Sequence, residues 1–197
     1  MSDDRTLAVY NRQTDDYVAM MDQEAAKDPM IRHFIATCSD GGDVLDLGCG
    51  AGHYARRMAE AGLIVSALDA SESMIEHAAA IPGVSAQLGR FEDVSGENLY
   101  NGIWAYFSLL HAPRQDLPDH LFRIATALRP GGVFFIGMKR GSGGKRDKLD
   151  RFYEYYEQVE LEALLRNAGL NPVNHWLGKA EGLAGNPEGW IVIEAHG

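Results

Sequence analysis

The chain has 197 residues, 46% of them apolar and 23% charged, enough to build a buried core without disulfides or metals. Eighteen basic against 28 acidic residues leave a formal charge of −10, which repels phosphate backbones and anionic lipid. Two cysteines, Cys38 and Cys49, exclude a disulfide framework, and no apolar run approaches the ~18 residues of a membrane span.

The opening MSDDRTLAVY is acidic and polar, without a signal-peptide pattern, so a cytoplasmic location is expected. Leu7, Tyr10, Thr14, Tyr17, Met20 and Met21 recur at helical spacing, and Met30 to Cys38 reads as a second helix after Asp28-Pro29. From Val44 strands and helices alternate: Val44–Leu47, then His53–Ala61; Ile64–Leu68, then a helix capped by Ser71; Val84–Leu88; Ile103–Phe107, then about Pro118–Leu128; and the apolar strand Val133–Met138. Near-continuous apolar strands between helices indicate a parallel sheet covered on both faces. The segment Lys139–Lys148 (KRGSGGKRDK) reads as a mobile basic loop. A helix over Val159–Ala168 follows, then strands near Val173–Leu177 and Trp190–Glu194 that form an edge hairpin. The expected fold is Rossmann-like: a doubly wound, mostly parallel seven-stranded sheet with helices on both faces and an N-terminal helical cap. The organisation expected is a single domain with a cap over 1–40, a cofactor-binding core over 41–138 and a substrate-side segment over 139–197.

In such a sheet the first strand-to-helix turn faces the ligand crevice, and here it reads Val44-Leu45-Asp46-Leu47-Gly48-Cys49-Gly50-Ala51-Gly52. A dinucleotide fingerprint needs Gly or Ala where His53 stands, so that reading fails at its last position. Asp46-x-Gly48-x-Gly50-x-Gly52 instead resembles the first motif of the class I S-adenosylmethionine-dependent methyltransferases. Asp69 at the end of the second strand, in ALDASESM, and ALRPGG before the fifth strand extend the resemblance over roughly residues 44–138.

The resemblance implies S-adenosylmethionine as cofactor, Asp69 as holder of its ribose hydroxyls with Ala70 beside it, and Met74 near the adenine. Cys49 within the turn and Ala105 on the fourth strand are expected on the cofactor side. Where the family has Gly-Asp after the third strand, this chain has Gly89-Arg90-Phe91-Glu92-Asp93. Arginine cannot accept a hydrogen bond, so Glu92, Asp93 or a backbone carbonyl would read the adenine amino group, with Phe91 against its face. Tyr10 and Tyr17 are expected on a cap near the methionine end of the cofactor. His111, in SLLHAP, stands where a general base would be useful. Arg140, Lys145, Arg146 and Tyr153 are expected on the acceptor side.

The acceptor motifs of nucleic-acid enzymes are missing: Ala105-Tyr106-Phe107-Ser108 stands where amino-methylating enzymes carry Asn/Asp-Pro-Pro-Tyr, and neither cysteine follows proline. A small polar or anionic acceptor is therefore expected, methylated by in-line displacement, with no nucleic-acid or membrane partner. The histidines show no metal-ligand spacing, so no metal site is expected. An NAD-dependent oxidoreductase and a non-catalytic S-adenosylmethionine-binding module are the alternatives.

Overall fold

A computed structural model describes residues 3–14, 18, 25–181, 185 and 187–197. Tyr17, Met20 and Met21 of the expected first helix lie outside them.

Helix α1 (Asp4–Arg12) begins at Asp3, whose carboxylate accepts from the Arg5 and Thr6 N–H groups. Helix α2 (Pro29–Thr37) begins at Asp28 with proline in its first turn, where the missing N–H costs nothing. Then β1 (Asp43–Leu47), α3 (His53–Glu60), β2 (Ile64–Asp69), α4 (Glu72–Ala79), β3 (Val84–Leu88) and β4 (Tyr100–Tyr106) follow. After them come α5 (Leu117–Ala127), β5 (Leu128–Arg140), β6 (Gly144–Arg146), β7 (Phe152–Tyr156), α6 (Gln158–Asn167), β8 (Asn171–Glu181) and β9 (Pro187–His196).

Strands β3-β2-β1-β4-β5 are parallel neighbours in that order. β9 runs antiparallel to β5 from Val133 to Lys139, and β8 pairs with β9, which makes the expected edge hairpin. The order reverses between β1 and β4, so the carboxyl ends of those strands open a crevice. Pleating sends alternate residues to opposite faces. On β4, Ile103 and Ala105 pack with Leu121 and Ile124 of α5, while Trp104 packs on Phe34 of α2 and stacks on Phe135. Helices thus cover both faces. No helix among the described residues is long and apolar enough to cross a membrane.

The sheet has nine strands rather than seven, and the expected loop over 139–148 accounts for the difference. β4 pairs with β5 only as far as Gly137, whereas β5 runs on to Arg140. Lys139 and Arg140 pair with Tyr155 and Tyr156 of β7, and Lys145 and Arg146 of β6 pair with Tyr153 and Phe152. Because β9 takes the other edge of β5, the β6–β7 hairpin occupies the edge that β4 leaves open.

Candidate active site

β1 ends at Leu47 and α3 starts at His53, so the chain must turn within five residues. Gly48, Gly50 and Gly52 do this at φ +74°, +52° and +83°. A Cβ on Gly48 would lie 2.2 Å from that of Ser108, whose hydroxyl donates to the Leu47 carbonyl at 2.6 Å. Only glycine permits this approach of the β1 and β4 ends.

Asp69 closes β2. One carboxylate oxygen accepts the Gly50 N–H at 2.8 Å and the other the Ser71 N–H at 2.9 Å. A carboxylate has about four lone-pair positions, and with the Ala70 N–H also bound, capacity remains for an incoming hydroxyl. Burial pushes its pKa up, opposed by backbone N–H groups including those of Ser71 and Gly50. Asp69→Ala is expected to weaken S-adenosylhomocysteine binding by about 1.5–3 kcal/mol, the scale of hydrogen bonds to a charged group. Titration calorimetry checks this, and affinity within twofold of wild type in a folded variant removes Asp69 from the ligand.

Asp46 is buried and one of its oxygens has no hydrogen-bond partner. Burial first, then the charge of Asp69, pushes its pKa up to about 8, against a hydrogen bond from the Ala55 backbone. Between pH 4 and 8 the unfolded chain therefore holds fewer protons at this position than the folded one, and stability falls as pH rises. Asp46→Asn is expected to stabilise the ligand-free protein at pH 8 by on the order of a few kcal/mol while weakening cofactor binding. Thermal melting at pH 4 and 8 checks the first half: a variant less stable than wild type at pH 8 contradicts it.

The crevice is a cleft of about 660 Å³, open to solvent. Gly48, Gly50, Asp69, Ala70 and Met74 line one side, and Gly89, Arg90 and Phe91 close it beyond β3. Thr6, Leu7 and Tyr10 of α1 face it, with α1 tied across by the Ser71 hydroxyl donating to the Asn11 side chain at 2.6 Å. At the β4 end stand Tyr106, Phe107, Ser108 and His111.

Several residues singled out in the sequence do not line this cleft: Asp46, Cys49, Gly52, Glu92 and Ala105. Ala105 sits on the face of β4 that packs against α5, and the pleat gives the cleft to Tyr106 instead. Phe107, which no sequence signal marked, has φ +56°, a conformation rare for a non-glycine residue.

His111 ends a single turn after β4. Its Nδ1 lies 2.6 Å from the Phe152 carbonyl, which can only accept, so the proton is assigned to Nδ1 and Nε2 is left with its lone pair. Nε2 lies 2.9 Å from the Tyr10 hydroxyl. Burial drives the His111 pKa down to about 4, with the charges of Arg151 and Lys139 acting in the same direction and the Phe152 hydrogen bond opposing. The ring is neutral at pH 7.

Tyr153 packs against His111 at 4.7 Å between ring centroids, beneath the Lys139 ammonium at 3.5 Å, and does not line the cleft. Four basic residues of the 139–148 segment are held by acids. Arg140 pairs with Glu157 at 3.1 Å, Lys145 with Glu188 at 3.2 Å and Arg146 with Asp3 at 2.9 Å, while Lys139 also binds Glu188. Among the described residues no group of three His, Cys, Asp or Glu side chains could hold a metal ion.

Comparison with known proteins agrees with this geometry. A methyltransferase-domain family model matches residues 44–132. A probable S-adenosylmethionine-dependent methyltransferase of Mycolicibacterium smegmatis is 30% identical over 168 residues, 79% of this chain and 63% of that one. The 1,6-didemethyltoxoflavin-N1-methyltransferase of Burkholderia thailandensis superposes with a TM-score of 0.77 at 26% identity, covering 96% of this chain and 87% of that one. Residues 44–132 thus match a methyltransferase domain, and the chain is similar over most of its length to S-adenosylmethionine-dependent methyltransferases. A sterol 24-C-methyltransferase of Gibberella zeae is 36% identical over 107 residues, 49% of this chain. The matched stretches span 27% and 63% of the fungal and mycobacterial relatives.

The residues of this chain fit S-adenosylmethionine. Asp69 keeps acceptor capacity to spare beside a glycine turn that admits no Cβ at Gly48. Asp69 would hold the ribose hydroxyls, with Met74 and Phe91 beside the adenine. When bound, S-adenosylmethionine supplies an electrophilic methyl group on a sulfonium.

Proposed function

We propose that this chain alkylates a ring N–H or O–H of a small, planar, polar acceptor by in-line displacement, the proton that leaves passing to the Tyr10 oxygen while the Tyr10 proton moves to His111 Nε2. The observation that carries this reading is the neutral His111 at the β4 end of the cleft, its Nε2 lone pair 2.9 Å from the Tyr10 hydroxyl. Alignment and exclusion of water supply most of the rate in such a displacement, and a base adds to it when the acceptor carries a proton. The rings of Tyr10, Tyr106 and Phe107 face the same end of the cleft and suit a flat acceptor. The Burkholderia relative, an N1-methyltransferase described with 1,6-didemethyltoxoflavin and S-adenosylhomocysteine bound, supports a nitrogen of a small molecule as the acceptor.

The acceptor would lie at the β4 end of the cleft, with Tyr153 behind His111. Arg140, Lys145 and Arg146 do not line the cleft, and their ion pairs favour a polar acceptor over an anion drawn by charge. S-adenosylhomocysteine release is the test, with 1,6-didemethyltoxoflavin and simple pyrimidinediones against aliphatic amines, carboxylates, tRNA and duplex DNA. Turnover is expected with the ring N–H compounds. Turnover confined to the other classes, or none at all, overturns the acceptor assignment.

A further inference from the structure

The turn of the β6–β7 hairpin meets α1 at four points. Arg146 donates to Asp3 at 2.9 Å, Arg5 makes a two-pronged pair with Asp150 at 2.6 and 2.8 Å, and the Phe152 N–H donates to the Thr6 hydroxyl at 2.9 Å. The fourth contact is the buried one. Arg151 is 4% exposed, and its Nη1 lies 3.4 Å from the Tyr10 hydroxyl. Its guanidinium is held from the other side by Asp147 through Nε at 2.9 Å and Nη2 at 2.6 Å. Asp147 is itself fixed, because its other oxygen accepts the Leu149 and Arg151 N–H groups at 2.9 and 3.0 Å.

We propose that Arg151 is a positioning residue for the reaction proposed above: anchored by Asp147, it donates to the Tyr10 oxygen and leaves the Tyr10 proton directed at His111 Nε2. The argument is one of donors and acceptors. Guanidinium only donates, so the Tyr10 oxygen must accept from it. His111 Nδ1 is committed to the Phe152 carbonyl, so Nε2 can only accept. Tyr153 hydrogen-bonds the same hydroxyl and can donate to it as Arg151 does, so the Tyr10 proton is the one that meets Nε2. Arg151 also lies over the Tyr10 and Tyr153 rings at 5.5 and 5.3 Å, and desolvated contacts of this kind outweigh the exposed Arg5–Asp150 pair. The hairpin, which supplies Phe152, Tyr153 and Arg151 around His111, thus sets the state of that ring.

The groups facing His111 are Tyr10 from α1, the Phe152 carbonyl and Tyr153 from β7, Arg151 and Asp147 from the hairpin turn, and Lys139 from β5. Of these, Arg151 and Lys139 disfavour the imidazolium and Asp147 favours it.

The inference rests on His111 as proton acceptor, and its test does not require an acceptor. The full chain, labelled with ¹⁵N-histidine, is titrated from pH 3.5 to 8 with and without S-adenosylhomocysteine, as wild type, Arg151→Met and Arg151→Lys. In wild type, His111 is expected as the Nδ1–H tautomer with a hydrogen-bonded Nε2. In Arg151→Met, Nε2 should move toward the position of an unbonded ring nitrogen, and the protonation midpoint should rise by about one pH unit as a neighbouring cation is lost. Arg151→Lys should restore the midpoint but not the Nε2 position, because an ammonium keeps the charge and loses the planar fork. Should Arg151→Met not fold, Asp147→Asn frees the guanidinium and should move Nε2 likewise. An unchanged His111 spectrum in a folded variant, or a wild-type proton on Nε2, overturns the proposal. Where a ring N–H compound turns over, Arg151→Met should lower kcat by up to about 100-fold with the S-adenosylmethionine KM within threefold, the pattern of misplacement rather than lost binding. The acceptor assignment fails separately, when no ring N–H compound releases S-adenosylhomocysteine while the His111 spectrum responds as expected.

Discussion

His111→Ala is expected to lower kcat by about 10²- to 10⁴-fold, the range for a positioned base, with S-adenosylhomocysteine affinity within about threefold. The separation of the two effects follows from the cleft, where Asp69 closes β2 and His111 lies in the turn after β4, two strands away. Wild-type kcat should be level from about pH 5 upward and fall as pH drops through about 4, since burial keeps this ring neutral far below the ordinary histidine value of 6.5. The same shift affects stability. Between pH 6.5 and 4 the unfolded chain takes up a proton at this histidine and the folded chain does not, so the folded state loses stability as the solution is acidified across that window. The alanine variant lacks that contribution. A pH–rate profile and melting curves at pH 4.5 and 7 measure both effects. A variant within twofold of wild-type kcat, or an acid limb near 6.5, rules out His111 as base.

Gly48→Ala should have the other large effect, on cofactor binding and folding together. The new methyl would meet the Ser108 Cβ at 2.2 Å and its hydroxyl at 2.9 Å, on a backbone at φ +74°. Overpacking costs about 1–3 kcal/mol and the left-handed backbone roughly 1–2 more. Relief requires β1 and β4 to part where they are joined by the Ser108–Leu47 hydrogen bond, and that moves the floor of the cleft. Loss of measurable S-adenosylhomocysteine binding and a clearly lowered Tm are expected. Adding Ser108→Gly should recover part of the Tm, because it removes the collision and leaves the backbone penalty. A Gly48→Ala variant with wild-type Tm and affinity would show that the two strand ends yield more easily than their geometry implies.

The cofactor half of the site was legible because its requirements are local. A tight turn with three residues at positive φ must be written in glycine, and Asp69 and Ser71 bind backbone N–H groups within a few residues of themselves or on the adjoining strand turn. The alternating apolar runs set the strands and the covered faces for the same reason, since each reflects a period of the backbone itself. The acceptor half was decided by packing. Tyr10 and His111 are 101 residues apart and meet only because α1 crosses the cleft. Ala105 was expected at the cleft and Tyr106 lines it instead, because the side that β4 turns to α5 decides which of two neighbours reaches the cleft. The 139–148 segment resembled a mobile loop because most of the acids that hold its basic residues are distant in the chain. Those partners, Asp3 for Arg146 and Glu188 for Lys139 and Lys145, arrive from distant elements. Its strands form on an edge that exists only because β5 outruns β4, a difference in length that becomes visible once the two strands are paired.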